Sequence, residues 1–506
     1  MSDSVKLKDL FLGISDGAVE AKEENFQELF FDPNNKYEEL MSSNEKFLIL
    51  GNKGTGKTYL ANYVLKKAMP YQKVKMMDAN DFIICKLSNL SRENLEDETA
   101  YALCKWFFLD QIAHMLLESH KIKAKYIPFS KLYKLKEFVK KYENDDFFKE
   151  IKRINSNSKS IQVSNNYNHG LKLEKYKSAS ASGFNNSQSN GISFEAERKD
   201  FFEMIPAYEE LLFNAIKKND DIMLIIDDID ELGNLKSENG RGNIIINLIR
   251  VAKEYNLKSK KGKAKIVLLI RSDILDELQI RYANLSKIKT SCSVELYWLY
   301  DSVNEQYEHP LMSMVLHKIK ASCPEYSSYT NKKLFNELFP ENIDSKRPLD
   351  YLLDHGFGRP RDFVTFLNHA KNLFQDSTYF SGTILKETRK PYSSDFYNEL
   401  LNQTSYYGNP EYVKQCLHLL ASVKKPSFFY SDIHDQYINN ESRYTEISRF
   451  DDALIFLYKI GAIGNVWKTG KKGVHTCWSY KKDAMDDIDL SKKFTIHYAL
   501  RKKFSL

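Results

Sequence analysis

Apolar residues alternate along this chain between two patterns. Short unbroken runs, Phe47-Leu48-Ile49-Leu50, Ile222-Met223-Leu224-Ile225-Ile226 and Ile266-Val267-Leu268-Leu269-Ile270, have the length of strands and no polar interruption. Such runs suit strands covered on both sides, the condition of a parallel sheet with helices on each face. Between them, over 58–67, 99–117, 201–218 and 243–255, apolar residues recur three and four positions apart, the spacing of helices with one buried face. A less regular strand over 73–82 and a last one over 293–296 complete an α/β core with a parallel five-stranded sheet.

Outside that core the pattern changes. Residues 1–45 read as a mixed helical lead-in, with Phe26, Leu29, Phe30 and Phe31 in one apolar cluster and Asp32-Pro33-Asn34-Asn35 as a turn. Residues 87–200 read as an insertion. It opens with an apolar helix carrying Trp106, then a lysine-rich helix in which Leu132, Leu135, Phe138, Val139 and Tyr142 share a face. A Ser/Asn/Gly-rich stretch follows over 155–193, with a hairpin pattern at 165–170 and too little hydrophobicity to hold a core. Beyond Trp298 the periodicity is helical, over 311–321, 332–338 and 349–353. A further helix opens at Pro360, with Phe363, Phe366, Leu367, Ala370, Leu373 and Phe374 on one face. From about Ser381, short helices over 411–422, 430–437 and 450–460 precede a hairpin pattern over 466–480 and a last helix from Phe494. Three helices and a hairpin predict a winged-helix-like domain over 381–506, although its Phe450-Asp451-Asp452 helix lacks the exposed Arg, Lys, Asn or Gln that base readout uses.

Charge and cysteine content narrow the class. The chain has 506 residues, and 74 basic against 68 acidic side chains leave a net charge of +6, which does not by itself require nucleic acid. Local lysines keep that partner open: Lys131, Lys134, Lys136, Lys140 and Lys141 ring the amphipathic helix, and Lys471 and Lys472 sit at the hairpin turn. A solvated surface is the alternative for both groups. The six cysteines are scattered without a C-x-x-C or Cys/His cluster, which argues against a zinc site and against a disulfide framework. No stretch approaches the ~18 apolar residues of a membrane span, and the N-terminus lacks the form of a signal peptide. The expectation is a soluble cytoplasmic protein with no membrane partner.

The candidate chemistry follows the first apolar run. Gly51-Asn52-Lys53-Gly54-Thr55-Gly56-Lys57-Thr58 is a complete G-x-x-x-x-G-K-[ST] match between a strand and a helix. Gly51, Gly54 and Gly56 let the backbone turn its N–H groups toward phosphate, Lys57 reaches the outer phosphates, and the Thr58 hydroxyl is a ligand for Mg²⁺. Tyr59 closes the stretch, and the helix N-terminus behind it favours anions. A second apolar run ends in Asp227 and Asp228, the first suited to Mg²⁺ and the second to orienting or deprotonating a water. Arg271 stands at the tip of the third run, either as a phosphate sensor or in a salt bridge. Arg359 and Arg361 flank Pro360 at a helix start, where two cations oppose the helix dipole unless an anion is near.

In this order, a Walker A loop, a Walker B strand IIDDID-x-L, a strand ending in Arg271-Ser272-Asp273-Ile274, a helical segment with G-x-P-R and a winged-helix pattern resemble the AAA+ and STAND branch of P-loop ATPases. Within that branch the chain resembles bacterial ATPases associated with DNA repair and antiviral defence, which share a GxKGTGKT-like loop and the L-Y-x-I-G-x-I-G segment seen here at Leu457 to Gly464. The resemblance implies a P-loop ATPase domain over 1–300 interrupted by the 87–200 insertion, a helical lid over 301–380 and the winged-helix domain over 381–506. It implies ATP and Mg²⁺ as cofactors, Arg271 and Arg361 as sensor arginines, and Arg281 as an arginine finger offered to a neighbouring subunit. Asp228 departs from the AAA+ pattern, where Glu is usual. The expected function is an ATPase acting as a nucleotide-controlled switch or assembly module, with a homo-oligomer or a separate effector protein as partner. A nucleic-acid motor and a nucleotide-holding scaffold are the alternatives.

Overall fold

The computed structural model describes residues 5–78, 97–120, 127–143, 204–229, 238–259, 263–282, 284–300, 304–404, 409–468, 473–482, 485 and 487–506. The chain forms two compact units, one of residues 38–50 and 67–294, the other of residues 1–37, 51–66 and 295–506.

The first unit is built on the sheet. Strands β1 (Leu48–Leu50), β2 (Gln72–Asp78), β3 (Asp221–Asp227), β4 (Lys263–Ile270) and β5 (Ser293–Glu295) lie in the order β2-β3-β4-β1-β5. The β2–β3, β3–β4 and β4–β1 pairs are parallel, with Leu50 opposite Ile270 and Ile226 opposite Leu268. Strands β1 and β3 are buried at every position, as their unbroken apolar runs require. Strand β2 is an edge strand, and its exposed Lys73 and Lys75 alternate with half-buried Val74 and Met76, which accounts for its weak apolar signal. The expected continuation of that strand over 79–82 lies outside the described residues. Helices run over Asp97–Ser119, Lys131–Glu143, 204–215, Glu238–Lys258 and Ser272–Arg281. The lysine-rich helix buries Leu132, Leu135 and Val139 and exposes Lys131, Lys134, Lys140 and Lys141, while the side chain of Tyr142 is outside the described residues. A helix over Asn284–Cys292, missed in the pattern, stands between Arg281 and β5; only Leu285, Ile288 and Cys292 face its core side. The Ser/Asn/Gly-rich stretch over 155–193 and its hairpin pattern lie outside the described residues.

The second unit contains a helical C-terminal domain. Helices Pro310–Ser322, Pro348–Asp354 and Pro360–Leu373 each begin at a proline, where the missing N–H costs no hydrogen bond. Phe363, Phe366, Leu367 and Ala370 are buried as expected, but Leu373 is exposed. The N-terminal segment joins this core through buried Leu7, Leu10 and Leu12, and the Leu7 amide donates to the Ser377 carbonyl at 2.7 Å. Two elements differ from the sequence reading. A 23-residue helix, Gly382–Thr404, runs through Pro391, a residue that interrupts helix patterns, and buries Leu385, Tyr392, Phe396 and Leu400. Where a last helix was expected from Phe494, the chain forms strand β9 (Lys493–Ile496), followed by a short helix, Tyr498–Arg501. Strand β9 lies between two antiparallel neighbours, β6 (Ser427–Phe428) and β7 (Ile463–Lys468), so Phe494, Thr495 and Ile496 are all buried. Strand β8 (Val474–Cys477) pairs with β7, giving the order β6-β9-β7-β8. Helices Pro410–Ser422, Tyr430–Asn439 and Phe450–Lys459 accompany this sheet. Lys471 and Lys472 at the hairpin turn lie outside the described residues.

Among the described residues no helix is long and apolar enough to cross a membrane. Cys104, Cys292, Cys323, Cys416 and Cys477 are buried and unbridged.

Candidate functional site

At Gly51 the chain leaves β1 and turns through a glycine-rich loop into the helix Lys57–Lys67. Gly54 and Gly56 have φ of +85° and +98°, a conformation that costs a residue with a Cβ roughly 1–2 kcal/mol. Gly51 is fixed by contact: a Cβ there would fall 2.3 Å from the Thr55 hydroxyl oxygen. The loop also closes on itself, with the Thr55 hydroxyl donating to the Asn52 carbonyl at 2.8 Å and the Lys57 ammonium to the Gly51 carbonyl at 2.9 Å. Beyond Gly56 the helix begins, the Leu60 amide reaching the Gly56 carbonyl at 2.9 Å. The first amides of any helix have no partner within it, and the dipole adds positive potential there.

Three consecutive carbonyls of the loop are held by residues far away in sequence. Arg359 Nη1 donates to Lys53 O at 2.7 Å, the Arg361 amide to Gly54 O at 3.4 Å, and Trp298 Nε1 to Thr55 O at 2.9 Å. Arg359 precedes Pro360 and is extended accordingly, with φ −117° and ψ 152°. Its guanidinium grips Asp362 through two bonds, Nε to Oδ2 at 3.0 Å and Nη2 to Oδ1 at 2.7 Å. Oδ2 of Asp362 also accepts the Phe357 amide at 2.7 Å. Both side chains are buried, so pair and loop form one satisfied polar network. Arg361 instead reaches Glu399 at 3.1 Å and the Ser15 carbonyl at 3.3 Å, lining an open cleft of about 290 Å³ with Asp16, Thr365 and Tyr392. The anions that offset the two arginines at this helix start are therefore carboxylates of the chain, Asp362 and Glu399.

Tyr59 is engaged elsewhere. Its hydroxyl donates to the Leu29 carbonyl at 3.2 Å, its ring meets Phe26 and Phe30, and the Lys318 ammonium lies 4.7 Å from the ring centre. Lys318 is paired with Glu20, and both are buried. Burial, together with Glu20, pushes the Tyr59 hydroxyl far above the usual phenol range. Thr58 is half-buried, and its carbonyl accepts from Asn62 Nδ2 at 2.8 Å.

Within the sheet unit, β1, β3 and β4 end at one edge. Asp227 is buried at the end of β3, and its Oδ1 accepts the amide of Asp228 at 2.8 Å. Asp228 itself has φ +51°, a left-handed conformation that Asp and Asn adopt more readily than other residues with side chains. Arg271, one residue past β4, is buried and bidentate to Asp273, at 3.0 Å from Nε and 2.6 Å from Nη2. Arg281 closes the Ser272–Arg281 helix, and its side chain lies outside the described residues. Among the described residues no group of three or more His, Cys, Asp or Glu is arranged to hold a metal ion. Sequence reasoning did not find Trp298, Asp362 or Glu399. Only Asp362 left a trace, its three-residue spacing from Arg359.

Fold and loop together define a mixed α/β protein with a parallel five-stranded sheet, a glycine-rich turn at the end of β1 and a helical C-terminal domain. Residues 309–401 match the family model described as the FunZ-associated C-terminal helical domain, a stretch that includes Arg359, Arg361, Asp362 and Glu399. No curated protein matches the chain.

Proposed function

We propose that the chain is a P-loop ATPase that binds ATP with Mg²⁺ at the 51–58 loop and works as a nucleotide-controlled switch or assembly module. The observation that carries the reading is the loop itself: two positive-φ glycines between a fully buried strand and a helix start, within a complete G-x-x-x-x-G-K-[ST] sequence. Strand order adds support. The chain passes from β1 to β2 on one side of the sheet and from β4 to β5 across β1 on the other, which makes the β1–β4 boundary a switch point. Ligands of open α/β sheets bind outside the carboxyl ends of strands at such points.

On this reading the loop amides and Lys57 bind the phosphates, while Thr58 and Asp227 hold Mg²⁺, which neutralises phosphate charge when bound. Asp228 orients or deprotonates the attacking water. Arg271 and Arg361 sense the phosphate, and Arg281 serves a neighbouring subunit. The three helices and the β7–β8 hairpin of the last hundred or so residues are read as a winged helix that docks a second copy or an effector protein. A role in bacterial antiviral defence or DNA repair comes from the family resemblance alone. The experiment is ATP titration of the full chain against Lys57→Ala. Loss of binding in the variant supports the assignment, and unchanged affinity sinks it.

A further inference from the structure

We propose that Arg359 and Trp298 are positioning residues that orient the loop's amides for phosphate before any nucleotide arrives. The inference rests on the nucleotide-binding reading and adds to it a part that the loop sequence does not contain. A trans peptide is planar, with its C=O and the following N–H pointing in opposite directions. No peptide among the described residues is cis. The bond from Arg359 to Lys53 O therefore turns the Gly54 N–H away from Arg359, and the bond from Trp298 to Thr55 O turns the Gly56 N–H away from Trp298. These amides belong to the two positive-φ glycines, the positions where the chain is otherwise freest to rotate. The amide between them, that of Thr55, is already used by the Asn52 carbonyl at 3.3 Å. What the clamp directs are thus the two glycine donors that the loop does not use to close on itself.

The clamp is itself held. Arg359 cannot turn without breaking two bonds to buried Asp362, and Asp362 is tied to the Phe357 amide. Donors fixed in advance need no reorganisation when the anion binds, so fixing them strengthens binding of phosphate in particular.

The test uses the full chain, with ATP and inorganic tripolyphosphate as separate probes. Trp298→Phe removes the Nε1 donor and keeps an aromatic ring on the partly buried side, although the phenyl is smaller than the indole. Arg359→Lys keeps the charge but cannot bridge Asp362 and Lys53 together. Each variant is expected to bind both probes about tenfold more weakly, the scale of one well-made hydrogen bond. For Trp298→Phe the melting temperature should stay within a few degrees of wild type, which separates positioning from general destabilisation. If Arg359→Lys fails to fold, Trp298→Phe still decides. Wild-type affinity for both probes in a folded Trp298→Phe protein, with binding lost in Lys57→Ala, would overturn the clamp and leave the nucleotide reading standing. Binding of neither probe by wild type would overturn both.

Discussion

Arg361 lies with Nη1 3.1 Å from the carboxylate of Glu399, while its own backbone amide points at the Gly54 carbonyl. A residue expected to sense phosphate is thus held by a carboxylate of the same chain. Neutralising that carboxylate with Glu399→Gln should free the guanidinium and tighten ATP binding by up to about fivefold, since a partly exposed pair is worth ~0.2–1 kcal/mol. Arg361→Ala should weaken binding. Titration of both variants checks this, and an unchanged Glu399→Gln affinity would show that Arg361 stays where it is.

The left-handed backbone at Asp228 gives a physical reason for Asp rather than Glu at this position. Asp and Asn tolerate φ near +51° better than longer side chains do. Asp228→Asn should therefore fold normally and keep ATP binding, while hydrolysis falls on the order of 10²-fold or more. Asp228→Glu should lower the melting temperature. Steady-state hydrolysis and thermal denaturation of the two variants separate the chemical role from the conformational one.

Acid should weaken the helical unit through two buried histidines. Burial pushes His355 down to about 4 and His497 down to about 3, with Arg501 acting in the same direction on both. In the unfolded chain both titrate near 6.5, so between that value and the folded ones the unfolded state binds more protons. Stability is then fully present above pH ~6.5 and is lost as pH falls toward 4 and then 3, with a slope of up to ~2.7 kcal/mol per pH unit. His497→Asn keeps an acceptor for the Ala499 amide, which His497 Nδ1 now takes at 3.2 Å, and should roughly halve that slope. Urea denaturation at pH 4.5, 5.5 and 6.5 measures it.

If Arg281 completes a neighbour's site, the hydrolysis rate per subunit should climb with protein concentration, and Arg281→Ala should abolish the climb. An arginine supplied in trans can be worth on the order of 10³–10⁵ in rate. A slow, concentration-independent rate in wild type would point to a switch that waits for a trigger.

Exposed Lys134, Lys140 and Lys141 bear on the nucleic-acid alternative. The switch reading expects no salt-dependent binding of duplex or single-stranded DNA or RNA, and no stimulation of hydrolysis by them. Binding that weakens steeply with salt and is lost in the triple Lys→Glu variant would favour the motor.

What the sequence determined by itself is what neighbouring residues decide. Unbroken apolar runs marked β1, β3 and β4 because a strand buried on both faces has no polar side to show. Pro360 at the first position marked a helix start, and glycine spacing marked the loop. Local pattern was silent or misleading where burial came from partners distant in the chain. Phe494 to Ile496 became a strand because β6 and β7 flank it, and the Gly382–Thr404 helix continued through Pro391 because its apolar side chains are packed. The loop's clamp is the clearest case. Arg359 is 306 residues from Lys53 and Trp298 is 243 from Thr55, and no spacing rule spans such separations. Which donor meets which carbonyl is settled by packing, since a buried guanidinium or indole N–H must find an acceptor and tertiary structure decides which is within reach.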